Sequence, residues 1–192
     1  MAVSDAVPGV PPFSPHTAEP TSSAGLLRPL AHLLDELGRL VARLSDEQFT
    51  RRDAAGVRGS IGGHLRHVLD HIATLVGAAD SAEICYDQRA RGTAVESSRA
   101  AAAEQISTLA GGLSRIAARS AHAPLRLSAR LTPDGAMENL PTSLAREIAF
   151  VQSHTIHHNA LIAALARVQG VELDDDFGFA PATLAYQREN GA

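Results

Sequence analysis

Three imidazoles lie within one and a half turns of an apolar, helix-like segment. They are His154, His157 and His158 in "FVQSHTIHHNALIAAL", residues 150–165. Each residue turns a helix by about 100°. With His154 at zero, His158 falls at about +40° and His157 at about −60°. Ile148, Val151, Leu161, Ile162, Leu165 and Val168 spread over about −40° to +120° of the same wheel. His154 and His158 therefore fall inside the apolar arc, and His157 at its edge. Glu147 falls at about +20°, on the same stripe two turns earlier. Burying such groups costs free energy unless they are paired or coordinated. Two histidines at i and i+4 project from one face and can share one ion. Neutral imidazoles suit divalent zinc, nickel, iron or manganese, with a position left open for water or substrate. The HExxH pattern of zincins is absent, because Thr155 stands where the glutamate would be.

A second stripe lies upstream. "SIGGHLRHVLDHIATLVGAA", residues 60–79, carries His64, His67 and His71 at three- and four-residue steps. A metal site in a helical core draws ligands from facing helices, so two histidine-bearing helices are what such a site needs. His64 and His71 lie nearer the apolar arc of this segment, and His67 lies further round. His67 and His71 form a second HxxxH, and a four-histidine site also fits. Spacing alone leaves the choice open. The competing reading is a metal-free core whose imidazoles are satisfied by hydrogen bonds.

The elements that must position these groups follow from periodicity and punctuation. Leu26, Leu30, Leu33, Leu34, Leu37, Leu40, Val41 and Leu44 predict a first helix over about 25–44, with Pro29 near its start. The second helix is expected over about 60–79, capped by Ser60. The third is expected over about 98–119, weakened by Gly111 and Gly112. "PLRLSARLTPDGAMENLPTS" breaks the helical period, and Pro133-Asp134-Gly135 is turn chemistry, so a short hairpin or extended excursion is expected there. The last long helix should run over about 143–168 and stop at Gly170. Four such helices predict an all-α fold, a four-helix bundle, over residues 24–192. Residues 1–23, rich in Pro, Ser, Ala and Val, read as a disordered or loosely docked tail.

Composition narrows the function. The chain has 192 residues, a net charge of −4 and a single cysteine, Cys85. Lysines and arginines are scattered singly, so no nucleic-acid footprint is present. One cysteine excludes an internal disulfide and fits a reducing, cytoplasmic compartment. No secretory signal is read at the start, and no apolar run approaches the ~20 residues of a membrane span, so no membrane partner is expected. No glycine-rich motif points to a nucleotide cofactor.

The two histidine segments resemble the DinB-like superfamily of small metal-binding four-helix bundles. "SIGGHLRHVLDH" is similar to its second-helix motif, and "SHTIHHNALI" to its later HxxxH motif. "YDQRARGTAVES" and "DFGFAPATLAY" resemble parts of one bacterial branch of that superfamily. The resemblance covers most of residues 25–190. It implies a metal triad of His67, His154 and His158, with His64 and His157 as flanking residues. It further implies a metal-dependent transferase acting on low-molecular-weight thiols, or a related hydrolase or isomerase.

The expectation is therefore a divalent-metal protein, identity of the metal open, acting on a small-molecule substrate such as a low-molecular-weight thiol. Glu147 would orient a ligand or act as a base; its alternative is a salt bridge to Arg146 or another arginine. Asp87, Arg89, Arg91 and Glu96 of the long link could cover the site and recognise an anion, or form a solvated, self-paired loop. Cys85 reads as a small buried residue rather than a nucleophile. Two rival readings are a non-catalytic bundle with a structural metal and a metal-free interaction module. A homodimer paired through the long helices is compatible with the pattern.

Overall fold

The computed structural model describes residues 22–52, 56–88 and 92–191. Residues 1–21 of the expected tail, and Arg89 and Arg91 of the long link, lie outside the described residues. Helix α1, Ser23–Arg43, starts earlier than its leucine period predicts. The Ser22 hydroxyl accepts the Ala24 N–H at its start, and buried Ser23 donates its hydroxyl to the Arg119 carbonyl at 2.8 Å. Pro29 consequently sits inside the helix, where its ring forgoes the bond to the Gly25 carbonyl. A five-residue helix, α2 (Asp46–Thr50), follows on a capping box between Ser45 and Gln48, and it buries Phe49 completely.

Helix α3, Ile61–Ser81, begins at the expected cap, Ser60, whose hydroxyl accepts the Gly63 N–H at 3.1 Å. Its first turn is pressed by two neighbours. A Cβ on Gly62 would overlap the Glu96 carbonyl and lie 2.6 Å from Phe49 Cε1. Glycine here lets the 3-10 turn Ala94–Glu96 and α2 seat against α3. Arg66 ties the same turn down, bonding Glu96 at 2.9 Å and Asp70 at 2.8 Å. Helix α4 (Arg99–Ile116) is capped by Ser98, and its Gly112 lies so close to Val76 that a Cβ would come within 2.9 Å. The glycine that weakens the helix intrinsically thus serves the α3–α4 approach.

Between α3 and the last long helix lies a three-stranded sheet. Strand β1 (Glu83–Ile84) runs parallel to β2 (Pro124–Arg130), and β2 is antiparallel to β3 (Met137–Ser143). The hairpin register pairs Leu127 with Leu140 and Pro124 with Ser143. Ser143 then caps helix α5, Leu144–Arg167, so the hairpin feeds directly into the second histidine helix. Helix α6, Pro181–Asn190, closes the described chain.

The all-α four-helix bundle expected from periodicity is corrected by this arrangement. The described residues form six α-helices and a three-stranded mixed sheet. The hairpin was anticipated, but the parallel strand β1 that turns it into a sheet was not. β1 has only two residues, too few to carry a strand period. The core gathers Leu30, Leu34, Leu37 and Leu40 of α1, Leu65, Val68, Leu69 and Ile72 of α3, and Ile148, Val151, Ile162 and Leu165 of α5. Among the described residues, no helix is long and apolar enough to cross a membrane.

Candidate metal centre

Helices α3 and α5 pack against each other with their histidine stripes face to face. On α3, the i and i+4 pair His67 and His71 stand edge to face, their ring centroids 4.4 Å apart. On α5, His154 reaches across, placing its Nε2 2.9 Å from His67 Nε2. The His154 ring also stacks on His71 at 4.2 Å. One ligand nitrogen from each of His67, His71 and His154 lies within 4.8 Å of the other two.

The donor chemistry fits a divalent ion. His71 Nδ1 lies 2.9 Å from the His67 carbonyl. A carbonyl can only accept, so Nδ1 carries the proton and Nε2 keeps its lone pair. Such a bond fixes both tautomer and ring orientation in metal-ligating histidines. Tetrahedral coordination at the usual zinc–nitrogen distance separates two donors by about 3.3 Å. The His67–His154 pair therefore needs to open by only a few tenths of an ångström.

His158 takes a different partner. Its Nδ1 lies 3.0 Å from His64 Nδ1, while His64 Nε2 lies 3.0 Å from the Arg58 carbonyl. The carbonyl assigns the proton of His64 to Nε2, so His64 Nδ1 accepts from His158 Nδ1–H. His158 is left with a bare Nε2, and its ring packs 4.6 Å from His67 and 4.7 Å from His154. Burial, followed by the neighbouring His154, His64, His157 and His71, holds His158 well below the usual imidazole range, at about 3. Burial likewise lowers His64, against the opposing bond to the Arg58 carbonyl. His157 is exposed.

Glu147 stands behind the site, fully buried at 0% exposure. Its Oε1 accepts from Thr142 Oγ1 at 2.6 Å and Arg146 Nη1 at 2.9 Å, and its Oε2 from the Tyr86 hydroxyl at 2.9 Å. Both carboxylate oxygens are thus supplied with donors despite their burial. The Tyr86 ring lies nearly parallel to His71, with centroids 5.0 Å apart and planes 9° apart. Glu147 therefore reaches the histidines through Tyr86. Burial and the adjacent Glu147 carboxylate hold the Tyr86 phenol far above its ordinary range, so it remains a donor.

A cleft of about 340 Å³ opens on His67, His71 and His154, between Tyr86 and Phe150. Among the residues anticipated from sequence, His67 and His154 meet here, and His71 joins them. The wheel had placed His71 near the apolar arc, which was the signal for it. His158 adjoins the cluster through the rings of His67 and His154. Asp87 lines the cleft, Glu96 is held by Arg66, and Cys85, just past β1, is half-buried. Thr142 and Arg130 carry no sequence motif and come to the site only through the fold, while Tyr86 and Phe150 lie in stretches read from sequence that assign them no role.

No family model matches the chain, and no solved structure matches it. Over 102 residues, 53% of this chain, it is 33% identical to FK506-binding protein 5 of Rhizopus delemar. That stretch covers 26% of the fungal protein, so the chain spans about a quarter of that relative's length. The fold and site define a helix-rich protein with a small mixed sheet and a three-histidine cluster able to hold a metal ion.

Proposed function

We propose that this chain is a divalent-metal protein whose ion is held by His67, His71 and His154. We further propose that it is a metal-dependent enzyme, a thiol transferase or hydrolase, acting on a small molecule in the adjoining cleft. The observation that carries the reading is the convergence of one ligand nitrogen from each of three histidines, within 4.8 Å of one another, in the lining of that cleft. The order of the two histidine motifs, which resembles the DinB-like pattern, supports it as well.

A bound divalent ion would supply Lewis acidity to a thiol, hydroxyl or carbonyl brought to it. The chain's own residues do the rest. The His67 carbonyl holds His71 in the donor-ready tautomer. Tyr86 and Phe150 flank the cluster and restrict water. Glu147 anchors Tyr86 and takes no direct part in proton transfer, because both its oxygens are engaged.

A structural, non-catalytic ion is the second reading, and one observation favours it. His158 presents a fourth imidazole beside His67 and His154, and a fourth nitrogen would close the shell. Zinc-, nickel- and manganese-loaded protein should be screened for thiol transfer to small electrophiles and for ester and amide hydrolysis. Turnover that disappears in His71→Ala supports the enzyme. Metal retention with no turnover in any reaction leaves the structural ion.

A further inference from the structure

The cleft over the histidines is lined by two guanidiniums. Arg130, at the end of β2, and Arg146, in the first turn of α5, both line it. One acidic side chain, Asp87, lines it with them. Asp87 is spoken for by the backbone, accepting the Arg130 N–H at 2.8 Å. The Arg130 guanidinium donates through Nη1 to the Gly135 carbonyl. The Arg146 guanidinium donates one N–H to Glu147 and lies over the Phe150 ring, 5.3 Å from its centroid. A guanidinium has five N–H donors, so each keeps several beyond these bonds. In a chain of net charge −4, two guanidiniums converge on one small cleft.

The other walls are apolar: Leu127, Ala129 and Phe150. A bare inorganic anion would leave those walls in contact with water, whereas a short carbon skeleton covers them. Asp87 and buried Glu147, which pairs with Arg146 at 2.9 Å, offset the two arginines in formal charge, so no surplus of side-chain charge favours a phosphate dianion, and the donors left on the guanidiniums suit a singly charged carboxylate. Planar guanidiniums suit carboxylate recognition in particular.

We propose that the cleft selects a small organic carboxylate, bound by Arg130 and Arg146, whose second polar group is directed at the histidine cluster. The inference rests on the metal reading given above and names its substrate class. Arg89 and Arg91 of the link lie outside the described residues, and the arginines that line the cleft are a hairpin residue and a helix-start residue.

The test uses the full chain loaded with cobalt(II), whose visible absorption responds to thiolate coordination. It is titrated with 3-mercaptopropionate and, separately, with 2-mercaptoethanol, which has a similar length and no carboxylate. The expected result is that the mercaptocarboxylate binds at least about tenfold more tightly, and that Arg130→Gln removes most of that preference. Arg130 is exposed, so the variant should keep its fold, checked by circular dichroism. Arg146→Gln should reduce the preference too, with a folding check because it also strips a donor from Glu147. Equal affinities for the two thiols on cobalt-loaded protein, or a preference unchanged in Arg130→Gln, would overturn the carboxylate subsite and leave the metal reading standing. Failure to take up cobalt at all would overturn the metal reading, and this inference with it.

Discussion

His64 and His158 share a hydrogen bond between their Nδ1 atoms, 3.0 Å apart, and His64 is itself anchored to the Arg58 carbonyl. This chain of partners decides where the protons sit. It leaves His158 Nε2 bare beside His67 and His154, without making His158 one of the three converging donors.

That arrangement ranks the histidines. His71→Ala removes a converging donor and should weaken zinc binding by at least about 100-fold. His158→Ala and His64→Ala remove an adjoining ring and its anchor, and should each cost about tenfold. Competition titration against a chromogenic chelator measures all three. A His158→Ala loss larger than that of His71→Ala would exchange their roles.

The metal-free protein should lose stability in mild acid. The folded-state pKa of His158 is lowered to about 3 from an ordinary 6.5, chiefly by burial. The unfolded chain therefore binds that proton more readily, and stability falls with decreasing pH. The contribution is fully present above about pH 6.5 and is lost progressively as pH falls toward about 3. Thermal melts at pH 7.5 and pH 5 should differ more in the native chain than in His158→Gln. Equal pH dependence in the two would remove His158 as the cause.

Tyr86→Phe keeps the ring on His71 and deletes one donor to buried Glu147. It should cost about 1–2 kcal/mol. Glu147→Ala should cost more, about 3 kcal/mol, because it leaves the Thr142 and Tyr86 hydroxyls without their acceptor and opens a cavity. Urea denaturation of metal-free protein measures both. A Tyr86→Phe variant as stable as the native chain would show that the phenol bond adds nothing to the fold.

Gly62→Ala should destabilise by about 1–3 kcal/mol and loosen the 3-10 turn from α3, since the new Cβ meets the Glu96 carbonyl and the Phe49 ring. Faster hydrogen exchange at residues 94–98 is the local readout. Unchanged exchange there would mean that the ion pairs of Glu96 with Arg66 and Arg52 hold the turn without the Gly62 contact.

Much of this was legible in the residues. Ser60, Ser98 and Ser143 stand at the starts of three helices, and each side chain accepts a backbone N–H there. The Pro133-Asp134-Gly135 segment lies between the paired strands β2 and β3, as turn chemistry predicts. What escaped was short or depended on tertiary partners. α2 has five residues, and α6 buries none of its side chains, so neither shows an apolar stripe. β1 becomes a strand only because Glu83 and Ile84 find Arg126 and Leu127. The wheel placed His71 near the core but could not show what it faced. That depends on how α3 is rotated against α5, a relation between helices rather than within one. Arg130 was invisible for the same reason, and Tyr86, though it opens a stretch singled out in sequence, showed no role there.

The central claim is that His67, His71 and His154 hold one divalent ion. Its most direct test is elemental mass spectrometry of tag-free protein purified without chelators, beside a His71→Ala/His154→Ala variant. The account predicts close to one divalent ion per native chain and close to none in the variant, with both chains folded by circular dichroism. A native chain that holds no ion after incubation with zinc, nickel, iron or manganese, or a variant that holds as much as the native chain, would contradict it.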